Sequence, residues 1–299
     1  MRVSQVLKEN VRNEAPSFSF EYFVPKTSQG VQNIYERIDR MRELTPLFVD
    51  VTWNAGGTTK PNATTTNEMI TKINKSYDLD TCMHLTCTGM PREAVDKALK
   101  EAYDGGCRCI LALRGDAPLE NEKWDAAQDG FLYAKDLVKY IRENYGDHFE
   151  IGVAGYPEGH PEEHDRDLLI GHLREKLDAG ASFVITQMFY DVDNFLDWVK
   201  ACRESGITAP IIPGIMPISQ YASFIRRVKW CDINVPTEFL RALERVKDDD
   251  AAVREVGAEL VTEMCKSIIE KGGIYHLHFY TMNLEKSTKV ILERLGLLH

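Results

Sequence analysis

Glu21 closes the run Ser-Phe-Ser-Phe-Glu, in which polar and aromatic residues alternate. A β-strand sends successive side chains to opposite faces, so Ser17, Ser19 and Glu21 share one face while Phe18 and Phe20 share the other. A carboxyl that ends such a run beside Tyr22 and Phe23 is poorly solvated. Its pKa should rise, and a carboxylic acid that keeps its proton near neutrality suits general acid catalysis. Read without chemistry, the same residue is a solvated loop glutamate.

Other short apolar runs end in the same manner. Phe-Val-Asp-Val-Thr stops at Thr52 beside Trp53, Met-His-Leu-Thr-Cys carries His84, and Ile-Leu-Ala-Leu-Arg-Gly-Asp stops at Asp116. Gly-Val-Ala-Gly-Tyr stops at Tyr156, Phe-Val-Ile-Thr-Gln at Gln187 and Leu-His-Phe-Tyr at Tyr280. The Gln187 amide could make paired hydrogen bonds to a planar heterocycle. Trp53 and Tyr156 could stack on a flat ligand or simply belong to the core. Gly115 would let a planar ligand approach the backbone, whereas its neighbours Arg114 and Asp116 could equally form an ion pair at a loop. His160 and His164 have helical metal-ligand spacing, but Pro161 between them marks a turn, and no metal site is expected. His84 reads as a structural strand histidine. His276 and His278 alternate with Tyr280 and read as packed, hydrogen-bonded residues of the barrel floor.

The elements that must position these residues alternate along the whole chain. Strands are expected at 17–23, 48–53, 81–87, 109–116, 151–156, 183–189, 211–215 and 275–280. Amphipathic helical stretches separate them, such as 30–44, with Ile34, Ile38 and Met41 on one stripe. The run 55–62 is a mobile loop by composition, and a long acidic loop reaches Asp129. Eight strands separated by helices in 299 residues predict an α/β fold, a (β/α)8 TIM barrel. The absence of Gly-x-Gly-x-x-Gly after the first strand argues against an open dinucleotide-binding sheet. Closing the barrel would bring the strand-ending residues to one mouth. One domain over 1–299 is expected, with no regulatory domain.

Composition narrows the partners. A net charge of -10 excludes a general nucleic-acid footprint. No apolar run is long enough to span a membrane, and the polar amino terminus lacks a signal-peptide core. The seven cysteines, without any Cys-x-x-Cys pair, read as reduced thiols in a cytoplasmic protein. Whether the chain forms a homo-oligomer is left open.

Taken in order, the segments Ser-Phe-Glu-Tyr-Phe-Val-Pro-Lys-Thr, Val-Thr-Trp-Asn-Ala-Gly-Gly, Met-His-Leu-Thr-Cys, Ala-Leu-Arg-Gly-Asp, Ala-Gly-Tyr-Pro-Glu-Gly-His-Pro, Ile-Thr-Gln-Met-Phe-Tyr-Asp, Ile-Ile-Pro-Gly-Ile-Met-Pro and His-Phe-Tyr-Thr-Met-Asn resemble the catalytic domain of eukaryotic methylenetetrahydrofolate reductases. The resemblance implies FAD-dependent, ping-pong reduction of 5,10-methylenetetrahydrofolate to 5-methyltetrahydrofolate, with NADH or NADPH as donor, in one-carbon metabolism leading to methionine biosynthesis. It implies that Glu21 is the general acid and that Asp116 stabilises a cationic iminium. It implies flavin contacts from Thr52, Trp53, His84, Arg114, Gly115, Asp116, Tyr133, Ala134, Tyr156, His160 and Lys176. Folate contacts are implied for Glu21, Asp116, Gln187, Tyr221 and Tyr280. Two positions depart from the pattern. Many members place an aspartate seven residues before the lysine; here that residue is Leu169, with Asp165 and Asp167 nearest, and Asp167 is taken as the flavin contact. Many also carry an arginine four residues after the tyrosine matched by Tyr280; here it is Leu284, with Lys286 two residues on. Two other readings remain: a barrel reductase acting on a different pterin, and a barrel kept as a scaffold or binding subunit.

Overall fold

The computed structural model of the chain describes residues 2–53, 64–115 and 129–298. Asp116, all of the 55–62 loop and all of the acidic loop before Asp129 lie outside the described residues. The chain begins with α1 (Val3–Asn13), followed by β1 (Ser17–Tyr22), α2 (Ser28–Arg42), β2 (Val49–Val51), α3 (Thr66–Ser76), β3 (Thr81–Thr86), α4 (Arg92–Asp104), β4 (Cys109–Leu113), α5 (Ala134–Tyr145) and β5 (Glu150–Gly155). It continues with α6 (Arg166–Asp178), β6 (Phe183–Thr186), α7 (Val192–Glu204), β7 (Ile211–Ile212), β8 (Gly214–Ile215), α8 (Tyr221–Trp230), α9 (Thr237–Glu244), α10 (Asp250–Gly272), β9 (His276–Tyr280) and α11 (Lys286–Arg294).

Every described strand pairing is parallel, and the sheet order is β7-β6-β5-β4-β3-β2-β1-β9-β8. β7 and β8 flank Pro213; one pairs with β6 and the other with β9. The two ends of the sheet therefore meet across a single proline, which has no amide hydrogen to give to a ladder. This is the expected eight-fold β/α barrel, its seventh strand written in two pieces.

The period-two pattern divides the apolar residues between two cores. Phe18, Phe20, Val49, Val51, Met83 and Leu85 point outward and pack under the helices. Phe48, Cys82, Cys109, Leu111, Phe183, Ile185 and Ile212 fill the barrel interior. Six of the seven cysteines are buried and all seven are free, as reduced core thiols would be.

α1 is an element the sequence reading treats only as a polar lead. Just Val3 and Leu7 of it are buried, and they join the interior cluster. Ser4 N donates to Glu150 Oε1 at the start of β5, and Asn10 Nδ2 donates to Ser17 Oγ at the start of β1. The helix thus lies across the amino-terminal end of the barrel and closes its floor. Its signal was present in the sequence, because Val3, Val6, Leu7 and Val11 fall at helical spacing, although only two of the four are buried. Among the described residues no helix is long and apolar enough to cross a membrane.

Candidate active site

Glu21 stands at the mouth end of β1 and faces the interior, as the alternation predicts; its side chain keeps only 18% of its exposure. Strand register sets it beside Asp50 of β2 and Tyr280 of β9. Asp50 is fully buried. His84 Nε2 donates to Asp50 Oδ2 at 2.9 Å and lies 3.8 Å from Glu21 Oε2. His278 Nε2 lies 3.2 Å from the same Asp50 oxygen. Oxygens of the two carboxyls and a ring nitrogen of His278 all fall within 4.8 Å of one another.

Such a cluster divides its charge unequally. Burial pushes the Glu21 carboxyl up, and the Asp50 carboxylate pushes it further, against the pull of His84 and His278; the result is about 7. Burial would also raise Asp50, but the imidazoles of His278 and His84 hold it below the ordinary carboxylate range. His84 responds in kind: burial lowers it, and the attraction and hydrogen bond of Asp50 more than restore it. Two carboxyls this close keep one proton between them, and it resides on Glu21.

The raised pKa of Glu21 was expected from Tyr22 and Phe23, and that cause needs correcting. Tyr22 faces the helices, where its hydroxyl donates to Met41 Sδ, and Phe23 is exposed. The barrel interior and Asp50 supply the effect instead. Asp50 is a residue the sequence reading passed over. Its signal was present: in Phe48-Val49-Asp50-Val51-Thr52 it shares the inward phase with Thr52 in an otherwise apolar strand.

Tyr280 is tied across the mouth. Its hydroxyl donates to the Thr186 carbonyl at 2.5 Å, and its ring meets the His278 ring edge-on at 5.2 Å. A Cβ at position 214 would fall 2.3 Å from the Thr186 oxygen and 2.6 Å from the Tyr280 hydroxyl, so only glycine fits there. Gln187 accepts from the amide of Met188, leaving its NH2 group to donate elsewhere. Tyr221 is the first residue of α8 and is partly exposed.

A second region lies at the carboxyl ends of β4 and β5, where a cavity of about 410 Å³ opens. Arg114, Tyr133, Ala134, Tyr156, His160 and Lys176 line it, with Ala112, Leu113, Leu169, Leu173 and Trp198 as apolar walls. Six of the expected flavin contacts are thereby brought to one surface. Thr52, Trp53 and His84 belong to the neighbouring strand ends of β2 and β3. Gly115 has φ +98°, and an added Cβ would lie 3.1 Å from Thr86, so its glycine is required by the chain path. The Arg114 guanidinium is paired with Glu162, another residue the sequence reading did not select. Lys176 Nζ donates to the Ala154 carbonyl at 2.7 Å. Burial alone lowers its pKa to about 8. Asp167 is exposed in the first turn of α6, where Asp165 caps the helix, and neither lines the cavity; Leu169 does.

Comparison with known proteins agrees with this architecture. The family model described as Methylenetetrahydrofolate reductase matches residues 6–296. Methylenetetrahydrofolate reductase 1 of Schizosaccharomyces pombe is 54% identical over 299 residues, covering 100% of this chain and 49% of that protein. The chain spans about half the length of the fungal and plant relatives it matches, whose names include NADH forms. The 5,10-methylenetetrahydrofolate reductase of Pectobacterium carotovorum is 35% identical over 278 residues, covering 93% of this chain and 89% of that protein. A solved Clostridium thermocellum protein, described as binding two copies of 5-methyl-5,6,7,8-tetrahydrofolic acid, shares the fold with a TM-score of 0.61 at 15% identity, covering 97% of each chain. With this full-length match and these identities, the chain belongs to the methylenetetrahydrofolate reductase family.

Proposed function

We propose that this barrel reduces 5,10-methylenetetrahydrofolate to 5-methyltetrahydrofolate in a ping-pong cycle, with FAD as hydride relay and NADH or NADPH as donor. The observation that carries the reading is Glu21, a carboxyl at the mouth whose surroundings leave it protonated near neutrality. Opening the imidazolidine ring of the folate needs a proton at the departing ring nitrogen. Glu21 gives that proton, and the iminium that forms is the hydride acceptor. Asp116, which follows Gly115, contributes a negative charge that stabilises the cation. Gln187 and Tyr221 hold the pterin together with Tyr280, whose hydroxyl is anchored on the Thr186 carbonyl.

The residues around the cavity suit a flavin dinucleotide. Apolar walls accept a flat heterocycle, while Arg114, Lys176 and the amino end of α5 at Tyr133 and Ala134 suit phosphate oxygens. Lys176 is withdrawn from water and makes no ion pair among the described residues, which is the state of a cation that awaits an anion. FAD, when bound, would supply the two-electron hydride chemistry that no side chain can perform.

Anaerobic stopped-flow mixing tests the proposal. The purified protein should be yellow, its flavin should bleach with NADH or NADPH, and methylenetetrahydrofolate should restore the colour. A colourless protein would favour a scaffold role. A reduced flavin that does not react with this folate would point to a different pterin.

A further inference from the structure

β1 leaves the sheet just past Glu21. Its register with β9 ends where Glu21 meets Tyr280, and its register with β2 ends where Tyr22 meets Val51. Phe23 lies beyond both ladders, yet its two backbone polar groups are satisfied. Phe23 N donates to Asn283 Oδ1 at 3.0 Å, and Asn283 Nδ2 donates to the Phe23 carbonyl at 2.8 Å. A carboxamide carries the same acceptor and donor as a peptide group, so this one side chain continues the sheet for one more residue. Thr281 holds the residue two earlier. Its Oγ1 donates to the Glu21 carbonyl at 2.6 Å and accepts from Asn283 N at 3.2 Å. One short segment after β9 therefore grips the chain on both sides of Tyr22.

The grip is itself held. Thr281 and Asn283 are buried. Met282 and Asn283 have φ of 51° and 55°, in the left-handed region that asparagine tolerates and methionine rarely adopts. This reversal of the chain returns the Asn283 side chain to β1. From the other side Arg37 of α2 donates to the Asn283 carbonyl. Arg37 Nε lies 3.9 Å from Glu285 Oε2, which pairs with Arg40 Nη2 at 2.8 Å. Left-handed backbone at a non-glycine residue persists only where its surroundings over-determine it, and such strain gathers at functional sites. Here all of it converges on the stretch that carries Glu21. The Glu21 carboxyl, by contrast, makes no hydrogen bond among the described residues, and His84 Nε2 stands 3.8 Å from it. With no partner to fix its tip, a long side chain follows whatever its own backbone does.

We propose that Thr281 and Asn283 are positioning residues for the mouth acid: they fix the backbone of β1 so that the Glu21 carboxyl stays inside the barrel, facing Asp50, and does not swing out to water. The inference rests on Glu21 being the general acid. Both residues act through the peptide groups of Glu21 and Phe23. A displacement of about 1 Å at a reacting group can cost on the order of 100-fold in rate, so a bond to the backbone of an acid can matter as much as one to its carboxyl.

The test compares Thr281→Val, which keeps the shape and removes the hydroxyl, with Thr281→Ser, which keeps the hydroxyl. By stopped-flow, Thr281→Val should slow the folate half-reaction by about 10- to 100-fold and leave flavin reduction by the nicotinamide donor unchanged. Thr281→Ser should restore most of the folate rate. A second readout needs neither flavin nor turnover: the infrared band of the protonated Glu21 carboxyl, identified by its loss in Glu21→Gln. In wild type this band should titrate near 7, held up by burial and then by Asp50 against His84 and His278, with Tyr280 also facing it. In Thr281→Val the midpoint should move down by a pH unit or more, because a carboxyl that swings outward regains water and leaves Asp50. A wild-type folate rate, equal losses in the two half-reactions, an unmoved midpoint, or a Thr281→Ser as slow as Thr281→Val would each overturn the positioning role. If Thr281→Val does not fold, Asn283→Ala makes the same comparison, with the same outcomes decisive. Glu21→Gln separates the two ideas: a normal folate reaction there removes the acid itself, whereas a lost one beside a normal Thr281→Val removes only the grip.

Discussion

Glu21 and Lys176 are both ionisable groups withdrawn from water, and they answer burial in opposite ways. The carboxyl rises to about 7 and the ammonium falls to about 8. Their surroundings differ more than their shifts. Glu21 sits among Asp50, His84 and His278, contributed by three strands, so its protonation is settled by the protein itself. Lys176 has one backbone carbonyl and, among the described residues, no carboxylate within ion-pair distance. An acid that must act on schedule needs its charge environment built in. A cation that must receive an anionic ligand gains most by leaving its counter-charge to the ligand.

The largest effect should come from Glu21→Gln, which keeps the shape and removes the proton. Flavin reduction by the nicotinamide donor needs no protein acid and should persist, while the folate half-reaction should drop by ~100- to 10,000-fold. Both rates are read from flavin absorbance in one preparation; equal losses in the two would reject the built-in acid. Asp116→Asn extends the comparison to a second carboxylate. Flavin should remain bound, and folate reduction should fall by on the order of 100-fold, because the iminium loses its negative neighbour. Wild-type folate turnover in this variant would remove Asp116 from the chemistry.

Acidity also links Glu21 to stability. Its folded pKa lies above the ordinary value of 4.5, so between pH 4.5 and 7 the folded protein holds a proton that the unfolded chain releases. Stability from this group is therefore complete below pH 4.5 and is lost as pH rises through 7, by on the order of 3 kcal/mol. Urea denaturation at several pH values should show this decline in wild type and its absence in Glu21→Gln. Parallel curves would mean that Glu21 titrates normally.

Lys176→Met gives the smallest change and examines the other side of the contrast. Removing a cation that is withdrawn from water and held only by the Ala154 carbonyl and the Tyr156 ring should raise the melting temperature of the flavin-free protein. It should weaken FAD binding by about 10- to 100-fold, the worth of a charge-assisted hydrogen bond. Fluorescence titration and thermal melts decide; a loss of flavin-free stability would show that Lys176 is already compensated.

The alternation of polar and apolar residues was enough to place Ser17, Ser19 and Glu21 inside the barrel and Phe18 and Phe20 outside, because strand geometry has a period of two whatever the fold. The succession of strands and helices was likewise enough to predict the parallel barrel, including a seventh strand at 211–215. The ordered segments pointed to the family and hence to Arg114, Tyr133, Tyr156 and Lys176, which the structure gathers around one cavity. Asp167 shows the limit of that transfer: the family spacing falls on Leu169, which lines the cavity, while Asp167, taken as the nearby substitute, is exposed in the first turn of α6. Where strands are joined by whole helices, the sequence carries no record of register. Only the closed sheet brings Asp50 level with Glu21, His276 level with Ser17, and His278 level with Ser19. The barrel floor is likewise decided by tertiary packing, because Val3 and Leu7 become a plug only when a barrel end is there to receive them. The charge on Glu21 belongs to the same class: it depends on burial and on carboxyl and imidazole groups distant in sequence, which only the folded chain brings within a few ångströms.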